Sequence, residues 1–210
     1  QRLTWGAEQE VSDLSRANLI LNFGSNPYEF HSMYLPMMRR LMEAQRRGAR
    51  LITLDPRLSN TASRSQQWLP INPGTDGLVA LVLSRIIIEK GLADKSFFDK
   101  WTNYSLELVK AHLSQYSVDM ASKESGIPSS VLEGLAMDLS TSDHVTIIAG
   151  DGLSQHSNGT QNERAVALLN AVIGNVDAPG GYCLPRTYNL QEILPRSAGK
   201  DNEQDGGNFL

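Results

Sequence analysis

Most residues able to do chemistry in this chain lie in four short polar stretches. The first, Gly24-Ser25-Asn26-Pro27, follows the apolar run Leu19–Phe23. Gly24 lets a backbone turn sharply and approach a ligand, and Ser25 and Asn26 add short hydrogen-bonding groups, so the stretch could cradle a diphosphate. It is not GxGxxG, and Pro27 and the wait until Met33 for a helical pattern weaken any helix-dipole contribution. An ordinary turn is the plain alternative. The second stretch is Asp55-Pro56-Arg57. At the end of a second strand a carboxylate can accept hydrogen bonds from ribose hydroxyls, and Arg57 could stack on a base or pair with a phosphate. Asp-Pro is equally a turn and helix-start pair, so Asp55 could simply cap the Leu58–Ser65 segment.

The third stretch, Pro73-Gly74-Thr75-Asp76, precedes a strongly apolar helical pattern. Thr75 or Asp76 suits an N-cap; with Thr75 capping, Asp76 is left as a carboxylate able to accept from the N1 and N2 donors of guanine. The fourth runs Gly150-Asp151-Gly152-Leu153-Ser154-Gln155-His156-Ser157-Asn158-Gly159. Read as one loop, it offers many donors at low steric cost, which suits a large ligand rich in acceptors. His156 taken alone reads as a surface histidine, and His31, His112 and His144 lack metal-ligand spacing. No GxSxG, GxxxxGK[ST], HExxH or paired CxxC occurs, so no catalytic set is recognisable and no metal site is assigned.

The elements that must position these stretches alternate. Leu19–Phe23, Ala49–Leu54, Trp68–Ile71 and Val145–Ala149 read as short buried strands, with Pro70 favouring an edge position for the third. Met33–Arg47, Leu78–Lys90 and Asn162–Ile173 read as helices, the second apolar nearly all round and hence buried. Gly24 to Asp55 then spans one βαβ unit with a right-handed crossover. Lys95–Trp101, Leu106–Ser114, Val118–Glu124 and Pro128–Ser140 read as short helices, forming a helical insertion over 95–140. The whole predicts an α/β domain over 1–186: a Rossmann-like open, mostly parallel sheet with helices on both faces, and an irregular tail or linker over 187–210. Ligands of such sheets bind beyond the carboxyl ends of the strands, where the four polar stretches fall.

Composition narrows the classes. The 210 residues carry 19 Lys+Arg against 23 Asp+Glu, a net charge of −4, with 40% apolar and 20% charged residues, as in ordinary soluble domains. A mildly acidic chain whose only dense basic spot is Arg46, Arg47 and Arg50 does not suit nucleic acid or an anionic membrane as main partner. The longest apolar stretch, Leu78–Ile88, is broken by Ser84 and Arg85, so no membrane span is expected. The single cysteine, Cys183, cannot by itself hold an iron–sulfur cluster or a structural zinc. With Gln1 first and no leader pattern, the chain reads as a segment of something longer, and its compartment is not legible.

In order and spacing, the four stretches together with Arg47–Arg57, Thr61-Ala62, Trp68–Ile71, Gly174-Asn175 and Pro179-Gly180-Gly181 resemble the dimethyl-sulfoxide-reductase family of molybdopterin oxidoreductases, over about residues 10 to 186. The resemblance implies a molybdenum or tungsten centre held between two molybdopterin guanine dinucleotides, one of them cradled by this domain. By motif, Gly24, Ser25 and Asn26 would lie at the diphosphate, Asp55, Pro56 and Arg57 at the ribose and guanine, and Gly74 and Asp76 at the guanine. Gly150, Asp151, Gly152, Gln155, His156, Asn158 and Gly159 would face the pterin and metal side, and Arg186 is a loose match to an arginine near the metal. The family's 4Fe-4S cysteines and its metal-ligating residue lie upstream, and Cys183 is on the wrong side of the motifs to replace them. The segment alone is therefore expected to be inactive. The remaining domains of the parent catalytic subunit, an iron–sulfur electron-transfer subunit and a membrane-anchor subunit are the implied partners. Leu21–Pro27 and Trp101-Thr102-Asn103 look nearest to the polysulfide, thiosulfate and tetrathionate reductase branch. Without the resemblance, a nicotinamide- or flavin-dependent Rossmann-type oxidoreductase and a non-catalytic nucleotide-binding domain stay open as alternatives.

Overall fold

Five-residue runs that are apolar on both faces can hide their side chains only in a sheet covered on both sides. The computed structural model, which describes residues 11–29 and 34–184, puts them there. Strands β2 (Leu19–Phe23), β3 (Arg50–Leu54), β4 (Gln67–Leu69) and β5 (Val145–Ala149) form a four-stranded sheet in the order β4-β3-β2-β5, parallel throughout. β4 lies at the edge and stops before Pro70, whose missing N–H cannot serve a ladder. The chain order reverses between β2 and β5.

Side-chain alternation splits the core. Leu19, Leu21, Phe23, Ile52 and Leu54 pack against α2 (Asp76–Glu89) and α8 (Gly159–Val172) on one face. Ile20, Leu51 and Ile148 pack against Leu41 and Ala44 of α1 (Tyr34–Arg46) on the other. Helices therefore cover both faces, as the alternating pattern predicts. Val79, Val82, Leu83, Ile86 and Ile87 of α2 are all buried, because α8 flanks this helix on one side while α4 (Leu106–Leu113), α5 (Val118–Ser125) and α6 (Ser129–Thr141) pack on it as well. Three of these short helices, α3 (Lys95–Trp101), α4 and α5, start on side-chain caps: Asp94 accepts the N–H of Phe97, Ser105 that of Leu108 and Ser117 that of Met120.

The differences from the sequence reading lie at element ends. Helix α2 begins at Asp76 rather than Leu78, and α8 at Gly159 rather than Asn162. A two-residue antiparallel ladder joins β1 (Val11–Ser12) to β6 (Tyr182–Cys183), too short to carry a periodic signal. It sits by the start of β5: the Asn175 amide donates to the Val145 carbonyl at 2.9 Å, and the Thr146 hydroxyl donates to the Gly180 carbonyl. Cys183 thus lies away from the carboxyl ends of the strands.

Gly134, exposed on α6, has nothing within 4 Å of the position a Cβ would take. Gly134→Ala is expected to stabilise the fold by about 0.5–1 kcal/mol by removing backbone freedom from the unfolded chain. Urea unfolding reads this as a raised midpoint with an unchanged slope.

Candidate functional site

Beyond the carboxyl ends of the strands lies a cleft of about 330 Å³, lined by Gly24, Asn26, Asp55, Pro56, Arg57, Pro73, Asp76, Gly152 and His156. Its floor is the close approach of the loops after β2 and β5. Gly24 turns with φ +58°, and a Cβ there would meet the Gly152 backbone at 3.1 Å. A Cβ on Gly152 would stand 2.7 Å from the Gly24 carbonyl oxygen, and one on Gly150 would stand 2.4 Å from Cα of Ser25. Side chains are excluded here by backbone, which leaves a bare trough between β2 and β5.

The amides of the three glycines are already paired. Gly24 donates to the Leu54 carbonyl at 3.2 Å, Gly150 to Phe23 at 3.0 Å and Gly152 to Gly24 at 3.1 Å. The N–H groups of these three glycines are taken by backbone carbonyls, so the glycines give close approach rather than hydrogen bonds. Ser25 is buried beneath the loop, where its carbonyl accepts the Asn22 amide at 2.7 Å.

Asp55 serves its own turn and also borders the cleft. One carboxylate oxygen accepts the Arg57 N–H at 3.0 Å and the other the Ser59 hydroxyl at 2.8 Å, so it does brace the following turn. It still borders the cleft, held in one orientation with lone pairs to spare. Arg57 stands at the rim, its guanidinium 3.1 Å from the Glu29 carboxylate. Glu29 was not singled out in the sequence; it also accepts the Asn60 N–H at 3.0 Å and the Asn26 side-chain amide. Only the Asn26–Glu29 spacing, that of a turn, hinted at it, because Arg57 and Asn60 come from another loop.

Asp76 opens α2 but does not serve a neighbour. Thr75, expected to cap the helix, instead donates its hydroxyl to the Asn72 carbonyl at 2.7 Å. Asp76 is 5% exposed and its carboxylate meets its own N–H, with no donor from another of the described residues. Burial pushes its pKa up to about 6; the His156 ring lowers it, and Asp55 raises it further. A buried carboxyl group at the wall of a cleft could accept from a ligand N–H pair.

The fourth stretch is not one loop. Residues Asp151–Ser154 form a single helical turn, α7, with Leu153 buried beneath it. His156 remains exposed and borders the cleft, whereas Asp151, Gln155 and Asn158 do not line it. Asn158 ties the two walls together, donating to the Gly74 carbonyl at 3.2 Å and to Asn162 Oδ1 at 3.1 Å. Gly159 is required because Ser154 O would lie 2.2 Å from its Cβ. Arg186 and His31 fall outside the described residues. Among the described residues no group of three His, Cys, Asp or Glu could hold a metal, and no helix is long and apolar enough to cross a membrane.

An open parallel sheet whose ligand crevice lies between its first and fourth long strands defines a doubly wound α/β unit of the Rossmann-like class. Comparison with known proteins gives the family: the molybdopterin oxidoreductase profile matches residues 1–209, and the chain belongs to that family. It is 32% identical over 189 residues to a probable dimethyl sulfoxide reductase chain, YnfF, of Escherichia coli, covering 80% of this chain and 23% of that one. It is 27% identical to the thiosulfate reductase molybdopterin-containing subunit PhsA of Salmonella typhimurium, covering 87% and 24%. Among solved structures, acetylene hydratase from Pelobacter acetylenicus superimposes with a TM-score of 0.78 at 26% identity, covering 87% of this chain and 24% of that one. The chain spans about a quarter of the length of these relatives.

Proposed function

We propose that this chain holds one molybdopterin guanine dinucleotide of a molybdenum or tungsten oxidoreductase, with the guanine end in the cleft described above. The carrying observation is Asp76: a buried carboxylate that no other described residue satisfies fits the adjacent N1–H and N2–H donors of guanine. Adenine presents an acceptor at N1 and would leave the carboxylate opposed by a lone pair, so the same atoms discriminate between purines. Asp55 accepts from the ribose hydroxyls, while Arg57 and Asn26 face the diphosphate from the rim. Gly24 and Gly152 let the dinucleotide lie against the sheet, and His156 closes the wall beside Asp76.

When bound, the cofactor supplies the two-electron chemistry, and this chain supplies binding and orientation. In this reading residues 1–186 are the dinucleotide-binding domain, 95–140 its helical insertion and 187–210 a link to the next domain. The parent reduces or oxidises a small sulfur or other inorganic compound, together with an iron–sulfur electron-transfer subunit and a membrane-anchor subunit. Trp101, Tyr104 and Leu108, each more than 60% exposed on and between α3 and α4, suit cover by another domain of the same subunit. The test is content: the purified protein is expected to release close to one GMP equivalent per bound dinucleotide on acid hydrolysis and to carry molybdenum or tungsten. A preparation with neither refutes the reading.

A further inference from the structure

The loops after β2 and β3 form opposite lips of the cleft, and the carboxylate of Glu29 bridges them. From its own loop it takes the Asn26 side-chain amide. From the other it takes the Asn60 N–H on Oε1 at 3.0 Å and the Arg57 guanidinium on Oε2 at 3.1 Å. A second strand of bonds runs behind it, where Thr61 donates its hydroxyl to Asn26 Oδ1 and accepts the Tyr28 N–H at 3.2 Å. Asn26 and Arg57 both line the cleft. Arg57 is 70% exposed, and without an anchor a guanidinium on that flexible stem samples many rotamers.

We propose that Glu29 is a positioning residue for ligand binding: by holding Asn26 and Arg57 at the two lips, it presents them to the diphosphate of the bound nucleotide. The inference rests on the cleft being the guanine dinucleotide site. Arg57 has five N–H donors and gives Glu29 one bond, so the rest of the fork is free to meet a phosphate. The contacts of Glu29, the Asn60 N–H foremost, hold its carboxyl below the usual range, so it stays ionised wherever the site is used.

The sign of the mutant effect separates this role from plain electrostatics. Glu29 is a negative charge beside an anionic ligand, so by Coulomb's law alone its removal tightens binding. Positioning predicts the reverse. The test is calorimetric titration of GDP into the protein purified from a host unable to make the cofactor. Glu29→Gln is expected to weaken GDP binding about tenfold, equivalent to about 1.4 kcal/mol, because the Gln Nε2 cannot accept from Asn26 or Arg57. Glu29→Asp keeps the charge but shortens the reach, and weakens binding as well. In an Arg57→Ala background the Glu29→Gln loss shrinks below threefold, the non-additivity expected of a residue acting through another. Wild-type binding with Glu29→Gln equal or tighter overturns the role of Glu29 and leaves the site intact. Failure of the wild type itself to bind GDP removes both.

Discussion

Replacing Asp76 with Asn lowers the affinity of the cofactor-free protein for GDP about 100-fold at pH 8, roughly 2.8 kcal/mol, and removes its dependence on pH. The carboxylate offers two acceptors to two guanine donors, whereas the Asn amide turns an N–H₂ toward one of them and leaves both groups unpaired. The pH dependence follows from the burial that pushes Asp76 up to about 6. Guanine needs the ionised form, so GDP affinity rises with pH through about 6 and is flat above it. Stability runs the other way. Between about pH 4 and pH 6 the folded protein keeps a proton on Asp76 that the unfolded chain has released, so stability falls as pH rises through that window. Above it the folded state carries the whole cost of a buried carboxylate, about 3 kcal/mol for a rise from 3.8 to about 6. Asp76→Asn is therefore expected to be more stable than wild type at pH 7 while binding worse, the trade seen where a site is built from unsatisfied groups. Calorimetry and urea unfolding over pH 4.5–8 read both trends. GDP affinity in Asp76→Asn within twofold of wild type would sink the assignment.

Gly150→Ala is expected to destabilise the fold by about 3 kcal/mol and to abolish measurable GDP binding. The added methyl group would stand 2.4 Å from Cα, 2.5 Å from Cβ and 2.7 Å from N of Ser25, and backbone cannot swing aside as a side chain can. Relief requires the β5 loop to lift off the β2 loop, which breaks the Gly150 N–H bond to the Phe23 carbonyl and widens the trough. The same one-carbon change at Gly134, in open space on α6, has the opposite sign. Urea unfolding of the two variants side by side gives a lowered and a raised midpoint. Equal midpoints would mean that the two loops are not held in contact.

The strands were legible because a run such as Leu19–Phe23, apolar on both faces, has one natural home, and the polar residues that follow such runs must collect at one edge of the sheet. That logic also brought Gly24, Asp55, Asp76 and His156 to one cleft. What escaped depends on contacts across the chain. Gly159 is a poor helix residue by propensity, yet α8 begins there because the Ser154 carbonyl leaves no room for a Cβ. Asp151-Gly152-Leu153-Ser154 looks like loop and forms a helical turn because Leu153 needs burial. The pairing of the Gly24, Gly150 and Gly152 N–H groups was hidden as well, since which carbonyl takes each amide depends on how the strands and their loops meet. Glu29 carried no local signal beyond a turn, its other two partners lying on the loop after β3.

The strand order also governs when the site can exist. Leu19 pairs with Arg50 on one side and with Val145, about four times farther along the chain, on the other. Chain-closure entropy grows by about 0.6 kcal/mol for each doubling of separation, so docking β5 costs about 1.2 kcal/mol more than docking β3. All of α2 to α6 must be made before β5 is available. β2, β3 and β4 can associate early, but the trough between Gly24 and Gly152 closes only with the most distant pairing, which is the slow kind of step in folding. A ligand that requires that trough binds only the finished sheet, so its arrival reports the completion of folding and holds the last strand in place.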